Sequence, residues 1–216
     1  MKLKINSNFH QWYDKYFDSD GLEFRRITTD GPNRPEMFDL FKKWGILTPL
    51  FGKISTFIIK EYDKDKKVVI YDNIWSHCGE NKRIITFSEA LLSERDKYMC
   101  EFVEFDKTLF TDYIAKSTRQ LFIGNLVYQY DYYSYNDWRS NYGRTNTSEP
   151  IQIDLPKWRE KIYYPLFAID YVGPQTELKA IDFNIAPGVN GINLGKLISG
   201  EFIVSEIKRW LSEYMK

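Results

Sequence analysis

The sequence predicts an α+β fold, with antiparallel strand pairs and separate helices. Three observations carry this. First, apolar β-rich runs come in neighbouring pairs joined by short turns: "STFIIKEY" and "KKVVIYDN" across the charged "DKDK", and a long hairpin turning at Gly124-Asn125. Second, segments with apolar residues at helical spacing stand near both ends of the chain. Third, no regular strand–helix alternation of the doubly wound type runs along it.

Each element has its own warrant. "PEMFDLFKKWG" sets Met37, Leu40, Phe41 and Trp44 on one helical face and stops at Gly45. Strands follow over 55–62 and 66–73, then the polar loop "IWSHCGENK" and the strand "RIITF". "SEALLSERDKY" reads as a short helix capped by Ser88. "YMCEFVEF" reads as a strand, "FTDYIAKSTRQLFIGNLVYQYDYYS" as the hairpin, and "DWRSNYGRTNTSEPIQI" as loop. Asp154 as cap and Pro156 in the first turn start a helix that passes into the strand "PLFAIDYV". The turn "GPQTE" leads to the strand "LKAIDFNI". The last segment, "GEFIVSEIKRWLSEYM", sets Phe202, Ile203, Ile207, Trp210, Leu211 and Met215 on one face.

Composition bounds the function. The chain has 216 residues, enough for one domain or two merged lobes, and 43% are hydrophobic, so it buries a core. Its 30 basic and 30 acidic residues cancel, which leaves no overall field to draw nucleic acid or a membrane surface. The apolar runs are too short to span a bilayer, and the N-terminus lacks the apolar block of a signal peptide. Cys78 and Cys100 have no metal-type spacing. A soluble, reducing, cytoplasmic setting is expected. The 17% aromatic content is scattered through the strands and suits core packing.

The chemistry concentrates in "FAIDYVGPQTELKAIDFNIAPG". Strand alternation puts Asp182 and Asn184 on one face, with Asp170 on the partner strand. Two carboxylates and an amide oxygen make a hard-oxygen set of the kind Mg²⁺ shares with water and phosphates. The same alternation also suits a sheet with one solvated face.

This unit, with Pro187 and Gly188, resembles the end of the ATP-grasp fold: strand-Asp, about a dozen residues, then acid-x-Asn-x-x-Pro-Gly. The resemblance implies two α+β lobes with antiparallel sheets gripping ATP between them. It implies Mg²⁺ on Asp170, Asp182 and Asn184. Asp182 stands where the family often has Glu. "MCEFVEF" resembles the hinge strand that reads the adenine edge, which assigns Glu101, Phe102 and Val103 to ATP; an ordinary buried strand reads the same way. "STRQLFIGNLVYQYDY" with "DWRSNYG" resembles the branch that includes the glutamate ligase acting on a ribosomal protein. There Arg119 and Arg139 would face phosphate or substrate carboxylate, with Asn141 beside them and Trp138 packing on Arg139. Surface arginines on a hairpin are the plainer reading.

"RPEMFDLFKKWGILTP" resembles the segment entering the ATP lid, with Arg34 where the family has an ATP-contacting Lys. The lid strand normally ends in a phosphate-contacting Lys; here the chain reads Tyr71-Asp72, so Lys82, Arg83 or Arg34 would have to replace that cation. His77 and Cys78 fall in the lid loop, and no oriented base marks them as a nucleophile pair. The matches run from Arg34 to about Gly191. Residues 1–33 are expected to be a short extension in place of a front lobe of about a hundred residues. Residues 34–100 would then be the lid lobe and 101–216 the lobe with the metal site.

The resemblance implies an ADP-forming carboxylate–amine (or carboxylate–thiol) ligase working through an acyl phosphate. Its substrates would be a small-molecule or peptide carboxylate and an amine, and a homodimer or partner protein could complete the site. Two other classes stay open: a non-catalytic nucleotide- or partner-binding protein on a degenerate version of the fold, and a kinase-like or nucleotidyl-transferring enzyme.

Overall fold

The computed structural model describes residues 3–6, 22–25, 31–57, 62–75, 81–105, 112–185, 187 and 199–214. Two units divide it, and they interleave along the chain. Unit 1 takes Met1–Gly31, Asp112–Tyr171 and Phe183–Lys216; unit 2 takes Pro32–Thr111 and Val172–Asp182. The observed division gives a late segment, 172–182, to the earlier unit, which local pattern does not reveal.

In unit 1, β1 (Leu3–Asn6) and β2 (Leu22–Arg25) form a parallel pair. In unit 2, α1 (Arg34–Trp44) precedes β3 (Phe51–Lys53), β4 (Lys67–Tyr71), β5 (Lys82–Thr86), α2 (Phe87–Ser93) and β6 (Tyr98–Glu101). The four strands form an antiparallel sheet ordered β3-β6-β4-β5.

A capping box starts α1. Asn33 Oδ1 accepts from the Glu36 N–H, and Glu36 Oε2 accepts from the Asn33 N–H, both at 3.0 Å. Gly45 ends the helix at φ 77°, a left-handed position that favours glycine. Cross-strand partners share a face, so Tyr71, Lys82 and Tyr98 lie together, with Val69, Ile84, Cys100 and Phe51 farther along. Phe38 of α1 stacks on Phe51 at 4.0 Å on that side. The opposite face buries Val68, Ile70 and Met99 with Phe87 and Ala90 of α2.

Three sequence expectations change in unit 2. The 55–62 strand begins instead with a 3₁₀ turn over Ile54–Thr56, where the Thr56 hydroxyl donates to the Lys53 carbonyl at 2.6 Å and competes with extension; residues 58–61 lie outside the described set. Thr86, not Ser88, caps α2, because Glu89 three residues on returns the bond to the Thr86 N–H at 2.8 Å. The strand expected over 98–105 stops at Glu101.

In unit 1, β7 (Ala115–Ile123) and β8 (Leu126–Ser134) form the expected hairpin at Gly124-Asn125. β11 (Leu166–Val172) pairs antiparallel with β7, and β9 (Thr145–Thr147) and β10 (Ile151–Ile153) pair with β8. Both short strands fall in a stretch expected to be loop; at three residues each they are too short for a sequence pattern to mark them, and pairing with β8 makes them strands. β12 (Lys179–Asn184) ends in this unit, where the Phe183 ring packs 5.6 Å from Phe167. The helix expected from Asp154 is a 3₁₀ turn over Lys157–Lys161 without a side-chain cap.

Arg159 in that turn is buried, and among the described residues its hydrogen-bond acceptors are carbonyls, not carboxylates. Its guanidinium donates to the carbonyls of Gly124 and Tyr164, both at 2.9 Å, and to that of Ile162. It lies over Phe167 and Trp210, 5.0 and 5.1 Å from the ring centres. Burial lowers it to about 10. Gly124 itself has φ 58°, and a Cβ there would stand 2.7 Å from the Glu206 carbonyl of α3 (Gly200–Tyr214). α3 buries Ile203, Val204, Ile207 and Trp210, while Phe202, expected inward, is 39% exposed. No helix among the described residues is long and apolar enough to cross a membrane.

Candidate functional site

Asp170 and Arg119 are the most tightly joined of the predicted residues. They are direct register partners on β11 and β7. Arg119 Nε donates to Asp170 Oδ1 at 2.6 Å and Nη2 to Oδ2 at 2.7 Å, a fork-to-fork pair. Nη1 donates to the Tyr132 hydroxyl at 3.3 Å, and that ring lies 5.1 Å from the guanidinium. Both side chains are 11% exposed. Burial works to lower the Arg119 guanidinium, yet Asp170 raises it well above its ordinary value, so the group stays charged.

Asp182 has a guanidinium of its own. Arg34, fully buried, donates Nη1 to Asp182 Oδ1 at 2.8 Å and to the Ile181 carbonyl at 3.0 Å. Burial pulls Arg34 down, but Asp182 and the Tyr71 phenol lift it above the ordinary value. Strand alternation sets Asp182 and Asn184 on one side of β12, both half-buried, with Phe183 buried on the other. Pro187 is buried; Gly188 and residues 76–80, with His77 and Cys78, lie outside the described residues.

The remaining residues are held in separate places. Arg139 Nε and Nη2 donate to Asp137 Oδ1 and Oδ2, both at 2.8 Å. The Tyr142 ring stacks 3.6 Å from this guanidinium, closer than Trp138 at 5.8 Å. The hydrogen bond from Arg139 holds Asp137 below the usual carboxylate range. Asn141 is exposed. Arg83 is held by Asp72, at 3.4 Å, and by Glu94. Lys82 Nζ stands 5.7 Å from the centre of the Tyr71 ring. Glu101 Oε2 faces Lys179 Nζ at 3.6 Å. The Glu101 N–H donates to the Leu50 carbonyl and the Phe102 N–H to the Lys67 carbonyl, at 2.8 and 3.2 Å, which commits two backbone donors assigned to adenine. Val103 follows them, half-buried.

Sequence reading missed Asp137, Tyr132 and Tyr142, which orient the arginines. The D-x-R spacing of Asp137 and Arg139 is a usable signal, since a short acid two residues away readily turns back on the chain. The tyrosines carry no local signal.

Asp170 and Asn184 belong to unit 1 and Asp182 to unit 2, and each by its own chemistry is a donor of the type Mg²⁺ takes. The named guanidinium bonds engage three of about eight acceptor positions on the two carboxylates. These oxygens and the Asn184 amide oxygen are the hard donors Mg²⁺ takes. Among the described residues, no group of three or more His, Cys, Asp and Glu side chains is arranged to hold a metal; the predicted set has two acids and an amide.

No family model and no curated protein matches the chain. Solved structures do. One is an ATP-grasp ligase associated with ribosomally made peptides from Chryseobacterium gregarium, in complex with ADP and with leader and core peptide. The identity is 17% and the TM-score 0.50, over 83% of this chain and 59% of that one. Another is the ATP-grasp ligase PsnB complexed with a minimal precursor, at 11% identity and TM-score 0.51, over 82% of this chain and 60% of that one. The chain spans about three fifths of the length of each. These likenesses show the fold: the chain has the ATP-grasp fold.

Proposed function

We propose, with the ATP-grasp fold as premise, that the chain is an ATP-dependent, ADP-forming ligase that joins a carboxylate to an amine through an acyl phosphate. The observation that carries this is two Arg–Asp pairs, the buried Arg119 with Asp170 and the buried Arg34 with the half-buried Asp182. Buried ion pairs are weak contributors to stability, since desolvation offsets their attraction. Side chains that handle both cations and anions give them a purpose.

Asp170, Asp182 and Asn184 are the proposed holders of Mg²⁺. When bound, the metal neutralises phosphate charge. Arg119 and Arg139 are the proposed cations for phosphate and for the substrate carboxylate; each already gives one fork to Asp170 or Asp137, so an anion takes another edge of the guanidinium or displaces that acid. Asp137 and Tyr142 hold the Arg139 plane still, so little ordering remains when an anion arrives. The carboxylate oxygen attacks the γ-phosphorus, the bond to the β-bridging oxygen breaks, and ADP leaves. The amine then adds to the carbonyl carbon and loses a proton, and phosphate departs. The acyl phosphate hydrolyses easily, so the loop over 75–82 is the proposed cover that excludes water. Adenine is read at the Glu101–Val103 segment. The substrate acid is a small molecule or a peptide, and the setting is cytoplasmic.

Calorimetry with Mg-ADP is the first test. Absence of binding at millimolar nucleotide overturns the reading. ADP release against a panel of acids and amines then tests turnover. A second reading, nucleotide binding without turnover, is favoured by Tyr71 at the lid-strand position and by Arg34 seated on Asp182. Binding of Mg-ATP with no acid-dependent ADP release supports it.

A further inference from the structure

Strand alternation gives β7 two distinct faces. Lys116 and Thr118 turn to Asp131 on one: Lys116 Nζ stands 3.1 Å from Asp131 Oδ2, and the Thr118 hydroxyl donates to Oδ1 at 2.5 Å. Ser117 and Arg119 turn to the other, where Arg119 takes Asp170 and Tyr132. Ser117 is buried and directly opposes Tyr132 in register. Its hydroxyl shares a hydrogen bond with the hydroxyl of Ser140. Ser140 follows Arg139, so their α-carbons stand about 3.8 Å apart. The loop that carries both closes on itself. The Ser134 hydroxyl donates to the Tyr142 carbonyl at 2.9 Å and accepts from the Asp137 N–H at 3.1 Å. Asn136 Oδ1 accepts from the Arg144 N–H at 2.9 Å, and the Tyr135 N–H donates to the Arg144 carbonyl at 3.0 Å. A segment bonded this closely to itself moves as one piece, so a bond to a strand orients all of it.

We infer that Ser117 is a positioning residue: through Ser140 it latches the loop that carries Arg139 onto the face of β7 that carries Arg119, and so sets where the second guanidinium stands relative to the first. This rests on the use of both arginines in the reading above and deepens it by naming what fixes their spacing. Asp137 and Tyr142 do not fix it, because both belong to the same loop and travel with Arg139. Ser117 belongs to the hairpin, whose strand is paired with β8 from Ala115 to Ile123. A serine side chain has one torsion ahead of its oxygen, so the link is short and stiff. Burial leaves little water to compete for it.

The test has two arms, run on the whole chain and on Ser117→Ala, Ser140→Ala, their double and Ser117→Thr. The first is fluorine NMR of protein labelled with 5-fluorotryptophan. Trp138 precedes Arg139, and its resonance, assigned by its loss in Trp138→Phe, reports the setting of the loop. It is expected to move in both singles and in the double, and to return toward its original place in Ser117→Thr, which keeps the hydroxyl. The second is calorimetry with Mg-AMPPNP. Each single is expected to weaken it about two- to tenfold, the scale of one neutral hydrogen bond, and the double no further, because the bond is lost once. An unmoved Trp138 resonance in both singles overturns the latch. So does movement of every tryptophan resonance together with a lowered melt, since that is general loosening. A moved resonance with unweakened Mg-AMPPNP overturns the positioning role. If the unaltered chain binds no Mg-AMPPNP, the ligase reading fails and the positioning role with it, while the fluorine spectrum still decides the latch.

Discussion

Arg119 grips both oxygens of Asp170 from the neighbouring strand, with the two residues directly opposed in register. The hairpin supplies the geometry: β7 pairs with β8 on one side and β11 on the other, which fixes both backbones before either side chain is placed.

Removing one member alone leaves a buried charge without its counter-ion. Asp170→Asn is expected to destabilise the chain by about 3–5 kcal/mol. The double replacement Arg119→Met with Asp170→Leu is expected to lose much less. Urea unfolding of Arg119→Met, of Asp170→Leu and of the double measures this, and additive losses would show that the two side chains do not act as a pair.

Replacing the predicted chemical groups is expected to stop the proposed turnover, with thermal melts to separate lost chemistry from the destabilisation that Asp182→Ala brings by leaving Arg34 without this carboxylate. Asp182→Ala and Arg139→Ala should each lower ADP release a hundredfold or more, on the scale of one lost preorganised charge. Wild-type rates in either variant, with the true substrate, remove that residue from the mechanism.

Asp137 carries an acid-side dependence. Its bond from Arg139 lowers its folded pKa below the unfolded value of about 3.9. The stability it contributes is therefore complete above about pH 4 and is lost as pH falls through the lowered value. Urea midpoints of the unaltered chain and Asp137→Asn should differ at pH 6 and converge toward pH 2.5. A gap that persists at low pH contradicts the assignment.

Cys100 is buried, and burial pushes its thiol up to about 12. In a Cys78→Ser background it is expected to resist alkylation at pH 8 until denaturant is added, as mass spectrometry reads directly. Its contribution to stability is full below the unfolded pKa of about 8.5 and declines as pH rises toward about 12.

Gly124→Ala is expected to lose about 2 kcal/mol or more. A left-handed φ disfavours alanine, and its Cβ would meet the Glu206 carbonyl at 2.7 Å. A circular dichroism melt no lower than that of the unaltered chain would show that the turn relaxes freely.

Much of the fold was legible because it was written in local periods. The hairpin at Gly124-Asn125, α1 with its stop at Gly45, and α3 all follow spacing and turn chemistry. β3, β9 and β10 were not legible, because three-residue strands owe their form to partners elsewhere in the sequence. The capping of α2 was legible in principle: Glu89 stands three residues after Thr86, whereas Leu91 stands three after Ser88. At the candidate site the residue types were readable and their pairings were not. Arg34 reaches Asp182 across 148 positions, and Lys82 and Arg83 differ only in which way a strand turns them.

Arg34 is also the first residue of α1, so its bearing is set by how that helix begins. Asn33, which touches no ligand candidate, does the setting through its exchange of bonds with Glu36. Trimming it to alanine would loosen the helix start by about 1 kcal/mol, and the slack would be felt at the far tip of a guanidinium. An amide chosen for backbone reasons thereby becomes the gunsight of a charge, and a survey that scores residues by reactivity alone would pass over it.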